Sequence, residues 1–318
     1  MELCILKNGE SYEPTVMALG NFDGVHLGHQ KLLKHAREKA KTLNVKFSVL
    51  LFAPHPLKVL CPERKLNLLT TTSERLKLFE KMHVDRVFLV PFTPELASTG
   101  PQEFVEQLLK KVGVVHIVVG FNYSFGAQGR GTPEDLKLFG QEYGFGVSII
   151  QAQKIGDKII SSTAIRKFLL EGDIKAAKEM LGRAPRITGK VIHGDARGRT
   201  IGFPTANLQV DEDLLVPKNG VYAVTSKIGN KIYAGMMNIG TRPTFTSDSV
   251  RTIEVFFLDF SGDLYGQDLI VEIYARIRSE RKFKNSTDII NQLNEDRKKT
   301  ELLISSIYKG RLRDLKKY

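Results

Sequence analysis

The chain has 318 residues, 42% hydrophobic and 26% charged, which is the composition of ordinary soluble globular proteins and enough length for about two domains. No apolar run approaches the roughly 18 residues of a membrane-spanning helix, and the start, MELCILKNGESYEP, lacks the basic lead and long apolar core of a signal peptide; a cytoplasmic chain with no membrane partner is expected. The net charge of +12 predicts anionic partners without saying which, and Cys4 and Cys61 fall outside any C-x-x-C spacing, which argues against a disulfide framework or thiolate zinc site.

From residue 15 to about 183, apolar runs alternate with helix-period segments. TVMALG, FSVLLFAP, DRVFLVPF, VVHIVVG and GVSIIQAQ read as buried strands. HQKLLKHAREKAKTL, TSERLKLFEKM, PQEFVEQLLKKV and PEDLKLFGQEY carry apolar residues at three- and four-residue spacing and read as helices. Such alternation implies a parallel sheet with helices on both faces. Two more helices are expected at STAIRKFLLEGD and IKAAKEMLGR, the latter stopped by Gly182 and Pro185. After Pro185 the runs ITGKVIHG, GVYAVTSKI, KIYAGMMNIG, TIEVFFLDF and DLIVEIYARI are β-branched and aromatic, several alternating in polarity, which predicts antiparallel β structure with a tight hairpin at IGNK. A long helix, STDIINQLNEDRKKTELLISSIY, follows. The change of texture predicts two domains, 1–184 and 185–318.

Ligands of an open parallel sheet bind beyond the carboxyl ends of its strands. GNFDGVHLGH occupies such a place, between the first of these strands and the first long helix. Gly20 and Gly24 allow a tight turn and close backbone approach, free amides at the helix start favour phosphate, and Gly28 leaves open the space between His26 and His29. Two imidazoles there suit hydrogen bonding to phosphate oxygens during phosphoryl or nucleotidyl transfer. A zinc site lacks a third ligand at a usual spacing. A structural alternative has His26 capping the helix and His29 packing. GAQGRG, from Gly126, lacks the order of a dinucleotide fingerprint and reads as a substrate loop or a plain surface loop.

In the second half, GDARGRTIGFPTANL combines glycines, among them Gly194, with Arg197 and Arg199, which suggests a flap over phosphates. Thr205 and Asn207 point to one side of an extended segment, where a hydroxyl and an amide oxygen can help hold Mg²⁺; a turn serving its own backbone is the alternative. Glu254 is the sole charge in the run from Ile253 to Leu258, making it a candidate general base unless it simply faces solvent. The segment from Arg276 onward has 13 basic and 6 acidic residues and reads as a solvated helix face. No zinc-finger spacing, RNP-like run or Trp supports a nucleic-acid partner.

ALGNFDGVHLGHQ, FAPHP, VGFNYSFGAQGRGT and ISSTAIR together resemble the adenylyltransferase half of prokaryotic FAD synthetases, within the nucleotidyltransferase superfamily. GKVIHGDARGRTIGFPTANL, NGVYAV, GMMNIGTRPTF, IEVFFLDFSGDLYG and RIRSERKF resemble the riboflavin kinase domain. The pair is similar to the bifunctional riboflavin kinase/FMN adenylyltransferase family. That resemblance implies a Rossmann-like parallel α/β domain followed by a small antiparallel β-barrel and C-terminal helix. It implies phosphorylation of riboflavin to FMN, then adenylylation of FMN to FAD with release of pyrophosphate, using ATP and Mg²⁺ and no tightly bound prosthetic group. It also implies that His26 and His29 meet the ATP phosphates, that Asn21 and Asp23 shape that pocket, and that Ser162, Thr163 and Arg166 hold the triphosphate. Pro54, His55, Pro56, Asn122 and Phe125 would line one flavin site, and Arg278 and Arg281 the other. Thr205 and Asn207 would serve as metal and ATP ligands, and Glu254 as the base toward the ribityl hydroxyl.

Overall fold

A computed structural model describes residues 1–6, 12–109, 111–194, 197–242 and 250–315, and its contacts divide the chain into two compact units, Met1–Ser162 and Thr163–Tyr318. The first unit contains, in chain order, β1 (Glu2–Ile5), β2 (Thr15–Leu19), α1 (Leu27–Leu43), β3 (Lys46–Ala53), α2 (Pro56–Leu60), α3 (Thr72–Lys81), β4 (Arg86–Pro91), α4 (Pro94–Ser98), α5 (Pro101–Phe104), β5 (Val114–Gly120), α6 (Pro133–Tyr143) and β6 (Gly146–Ile150). A two-stranded hairpin, β7 (Lys154–Ile155) and β8 (Lys158–Ile159), ends it. Six strands form one sheet in the order β1-β4-β3-β2-β5-β6, every neighbouring pair parallel.

The continuous apolar strands follow from burial on both faces. In β2, Val16 and Ala18 pack toward Leu32, Leu33 and Ala36 of α1 and Phe79 of α3, while Met17 and Leu19 join the cluster of Phe104, Leu109 and Leu136. Period-two alternation thus sends adjacent residues into two different cores. The segment PQEFVEQLLKKV is not one uniform α-helix: α5 passes into a π-helical turn at Val105–Leu109.

The helix α7 (Ser162–Glu171) starts at the division, and α8 (Ile174–Leu181) follows. The barrel strands are β9 (Arg186–Ile192), β10 (Ala206–Val210), β11 (Gly220–Ile228), β12 (Lys231–Arg242), β13 (Val250–Phe257) and β14 (Asp268–Arg278), with a single helical turn, α9 (Arg197–Thr200), before β10 and the long α10 (Ser286–Leu315) at the end. They close in the order β10-β13-β12-β11-β14-β9, all pairs antiparallel, so no strand edge is left open. The expected hairpin joins Ile228 to Lys231, with Gly229 at φ 58. Along β11, Tyr222 and Val224 are fully buried, whereas Val221 and Ala223 belong to clusters that include Leu293 and Ile304 of α10.

The texture change near residue 184 and the contact division after Ser162 differ because α7 and α8 pack with the barrel. Lys218 N–H donates to the Leu169 carbonyl, α8 lies on β14, and Lys178 sits over the Tyr274 ring.

Gly140, in the last turn of α6, tests packing against propensity. Alanine is the better helix former by about 1 kcal/mol. A Cβ at Gly140, however, would lie 2.4 Å from the Phe145 carbonyl oxygen. Gly140→Ala is therefore expected to lower stability by about 1–3 kcal/mol, read as a lower urea midpoint; an unchanged or raised midpoint would show that the Phe145 turn yields.

Candidate active sites

In the first sheet the chain runs from β2 outward to β3 and β4, then returns to β5 on the other side of β2. The loops leaving β2 and β5 therefore part in opposite directions and open a crevice at their carboxyl ends. Gly20 and Asn21 follow β2, Phe121 and Asn122 follow β5, and Pro54, His55 and Pro56 follow β3 on the same edge.

The turn after β2 has an uncommon backbone. Phe22, Gly24 and Val25 have φ of 49, 81 and 39, and the side chains of Phe22 and Val25 are buried. Left-handed Phe and β-branched Val cost on the order of 1–3 kcal/mol each and persist only where surroundings over-determine them. Those surroundings are visible. Both Asp23 carboxylate oxygens accept from Leu69 N–H, at 2.9 and 3.1 Å, and Oδ1 also accepts from Thr70 N–H and Oγ1. Thr70 Oγ1 accepts from Gly24 N–H, the Asp23 carbonyl accepts from Ser162 Oγ at 2.8 Å, and the buried Arg75 donates from Nη1 to the Asn21 carbonyl.

This clamp delivers the two histidines. His26 is the N-cap of α1, its Nδ1 accepting from His29 N–H at 3.3 Å, and the rings stack with centroids 3.6 Å apart. That hydrogen bond requires a lone pair on His26 Nδ1. Phe22 packs edge-on against His29, whose Nδ1 is buried without a hydrogen-bond partner. Burial holds the His29 imidazole well below the usual histidine range, and the adjacent His26 pushes the same way. A Cβ at Gly28 would meet the His26 ring at 3.2 Å. The structural alternative for these histidines thus describes their local geometry correctly, and it leaves His29 Nδ1 as a buried polar atom without a partner.

Other expected residues are placed differently. Asp23 turns its carboxylate onto residues 69 and 70, so it braces the turn. Phe125 is buried in the core, stacked with Tyr123 and bridged by backbone to Gly131, while Asn122 is exposed. His55 caps α2 through Nδ1. GAQGRG is anchored, with Ala127 N–H donating to Thr99 and Thr132 forming a capping box with Asp135. Thr163 and Arg166 lie in α7, in the second unit. Thr70 and Arg75 were not singled out from sequence; Arg75, like its sequence neighbour Glu74, is buried near the start of α3.

On the barrel, register assembles a row. Asn207 of β10 lies opposite Glu254 of β13, Glu254 opposite Asn238 of β12, Asn238 opposite Val221 of β11, and Val221 opposite Arg278 of β14. Directly opposed residues project to one face. Glu254, Asn207 and Asn238 are half-buried, whereas Ile253 and Val255 on either side of Glu254 are buried, so the carboxylate belongs to the partly accessible face. The loop before β10 folds onto this row: a Cβ at Gly194 would fall 2.1 Å from Asn207 Nδ2, and one at Gly198 lies 3.5 Å from Thr205 Oγ1. Arg199 is exposed; the Arg197 side chain and residues 243–249, including part of GMMNIGTRPTF, lie outside the described residues. Arg278 donates from Nε to the fully buried Asp296 at 2.8 Å, and Arg281 donates to Gln292, which also reaches Asp296. Both arginines therefore tie RSERKF to α10. Thr205 and Asn207 offer hard oxygen donors beside a glycine cradle, a set that fits Mg²⁺ shared with substrate phosphates.

Comparison with known proteins agrees across both units. Residues 9–164 match the FAD synthetase family model and 181–304 the riboflavin kinase model. The bifunctional riboflavin kinase/FMN adenylyltransferase of Listeria monocytogenes is 41% identical over 92% of this chain and 93% of its own, and that of Bacillus subtilis 38% identical over 94% and 96%. A crystal structure of a protein described as macrolide-efflux, from Streptococcus pneumoniae, covers 95% of this chain and 99% of its own with a TM-score of 0.87 and 33% identity. Among the described residues, no helix is long and apolar enough to cross a membrane. With both domains present in order and these relatives matching nearly end to end, the chain belongs to the bifunctional riboflavin kinase/FMN adenylyltransferase family.

Proposed function

We propose that the barrel moves the γ-phosphate of ATP to riboflavin and that the first unit then joins FMN to the adenylyl group of a second ATP. The observation that carries this is the presence of two separate polar constellations: stacked histidines with an orphaned Nδ1 at a sheet switch point, and a carboxylate flanked by carboxamides on a barrel wall. The functional boundary is drawn near residue 184, giving 1–184 and 185–318. The ATP-dependent chemistry of both halves fits a cytoplasmic location.

In the kinase step Glu254 accepts the proton of the ribityl 5′-hydroxyl as its oxygen bonds to the γ-phosphorus and ADP leaves. Gly194, Arg197 and Arg199 cover the phosphates. Thr205 and Asn207 would hold Mg²⁺, which when bound with ATP neutralises phosphate charge. Arg278 and Arg281 keep RSERKF beside the flavin by anchoring it to α10.

In the adenylyl step an FMN phosphate oxygen bonds to the α-phosphorus of ATP and pyrophosphate leaves. His26 and His29 hydrogen-bond phosphate oxygens; Gly20, Asn21, Gly24 and Gly28 admit the nucleotide to the backbone; Asp23 holds the turn. Ser162, Thr163 and Arg166 take the triphosphate, and Pro54, His55, Pro56, Asn122 and Phe125 shape the flavin pocket. Both steps are displacements at phosphorus, so no prosthetic group is needed.

Chromatography of flavins after incubation with riboflavin, ATP and Mg²⁺, and separately with FMN, tests the pair of activities: FMN followed by FAD is expected, and no conversion in either tube refutes the reading. His29→Ala should cut FAD formation at least about 100-fold while riboflavin phosphorylation stays within about twofold; equal loss of both activities would refute separate sites. Glu254→Gln should do the reverse, since an amide cannot accept the hydroxyl proton, and normal phosphorylation by that variant would remove Glu254 as the base. Because burial keeps the free His29 ring neutral near pH 7, an arriving triphosphate raises its proton affinity and binding takes up protons. Calorimetry of ATP binding in buffers of different ionisation enthalpy should show that uptake in the native chain and less of it in His29→Ala; identical slopes would sever the link between His29 and phosphate.

A further inference from the structure

Arg278 and Arg281 fasten RSERKF to α10, and a second attachment ties the same segment to the barrel through Glu280. Glu280 Oε1 lies 2.7 Å from the point where a Gly240 Cβ would be, so the carboxylate packs on strand β12 at a position that only a bare backbone leaves open. Gly240 is two residues from Asn238 and shares its face, the face onto which Glu254 also projects. What holds Glu280 there is Asn219, immediately before β11. Its Nδ2 donates to Glu280 Oε2 at 3.3 Å and to Thr241 Oγ1 at 2.7 Å. Its Oδ1 accepts from Arg251 Nε and Nη2 at 3.2 and 2.8 Å, and its carbonyl accepts from Arg276 Nη2 at 2.6 Å. Arg251 in turn donates to the Val216 and Pro217 carbonyls. One carboxamide thus joins β12, β13, β14 and the start of β11 at one end of the barrel, and it reaches RSERKF through Glu280. Arg278 is paired with Asp296 and Arg281 with Gln292, which leaves the Asn219 amide as the side-chain donor to Glu280 among the described residues.

We propose that Asn219 is a positioning residue for riboflavin: by holding Glu280 on Gly240 it fixes where RSERKF stands beside the kinase face, and so sets the affinity for the flavin. The proposal rests on the reading that RSERKF lies beside the flavin. A segment fastened both to α10 and to the barrel is ordered before the substrate arrives, which removes that ordering cost from binding. The chemical step is left to other groups, so the effect belongs to KM and not to kcat.

Asn219→Asp isolates the bond to Glu280. The new carboxylate still accepts from Arg251, the Thr241 hydroxyl can turn and donate to it, and the backbone carbonyl still meets Arg276. Only the donation to Glu280 is lost, and two like charges replace it. The riboflavin KM should rise at least about fivefold, with kcat within about twofold and FAD formation from FMN unchanged. Adding Glu280→Gln should return the KM to within about twofold of native, because the amide is then supplied from the other side. A role confined to the barrel end gives no such rescue, since the bonds to Thr241, Arg251 and Arg276 are the same in both variants. A native KM in Asn219→Asp, or a raised KM that Glu280→Gln leaves raised, overturns the proposal. If Asn219→Asp does not fold, Glu280→Ala is read instead: a raised riboflavin KM supports the role and a native one overturns it. Hydrogen exchange of the RSERKF amides in the native chain, with and without riboflavin, separates the two levels. No protection there fails the reading that the segment lies beside the flavin, whereas protection together with a native KM in Asn219→Asp fails only the role of Asn219.

Discussion

Strand register is the constraint on which both sites depend. A slip of one residue in β13 would turn Glu254 toward the side of Ile253 and Val255, and would present apolar side chains where Asn207 and Asn238 now face a carboxylate. The penalty for burying that charge unpaired is several kcal/mol at least. The hydrophobic alternation of β11 and β13 and the barrel's closure therefore specify the chemistry as firmly as they specify the fold. In the first sheet the same alternation lets β2 fill two cores at once, so its carboxyl end, and the turn that follows, has no latitude to rotate.

That rigidity is extended by buried charge. Asp23 faces backbone amides, Arg75 a carbonyl, and Asp296 an arginine, a glutamine and, through its backbone, Thr300. Each charge ties together segments far apart in sequence. Charge-assisted bonds of this kind are short and directional, which suits them to hold the left-handed Phe22 and Val25. The stacked histidines then rest on a strained turn that is fastened from three sides.

Much of this was legible in the sequence, and the misses share a cause. Strands buried on both faces, helices with caps, and the GNFDGVHLGH turn announce themselves through composition and period. β1 and β10 do not: ELCI is short and mostly exposed at an edge, and ANLQV follows a proline and carries polar residues, so each is a strand only because a neighbour offers hydrogen bonds. At the sites, glycine and histidine were readable because their special properties are intrinsic. The bracing roles of Asp23, Thr70 and Arg75 come from partners at distances in sequence that no local pattern encodes. Arg278 and Arg281 are implied near the flavin only by the resemblance of RSERKF, and their bonds to Asp296 and Gln292 of α10 are equally beyond any local pattern.

The contact division falls inside a helix, not in a linker. α7 starts at Ser162, whose hydroxyl is bound to the Asp23 carbonyl, and continues to Leu169, whose carbonyl accepts from Lys218. A cut at the composition change near 184 would take α7 and α8 away from the strands they pack on, and a cut after Ser162 would sever a helix in its first turn. Domain boundaries usually fall in exposed, flexible linkers that few contacts cross. Here the chain passes from one unit to the next within α7, so neither cut leaves two pieces with their secondary structure and packing intact.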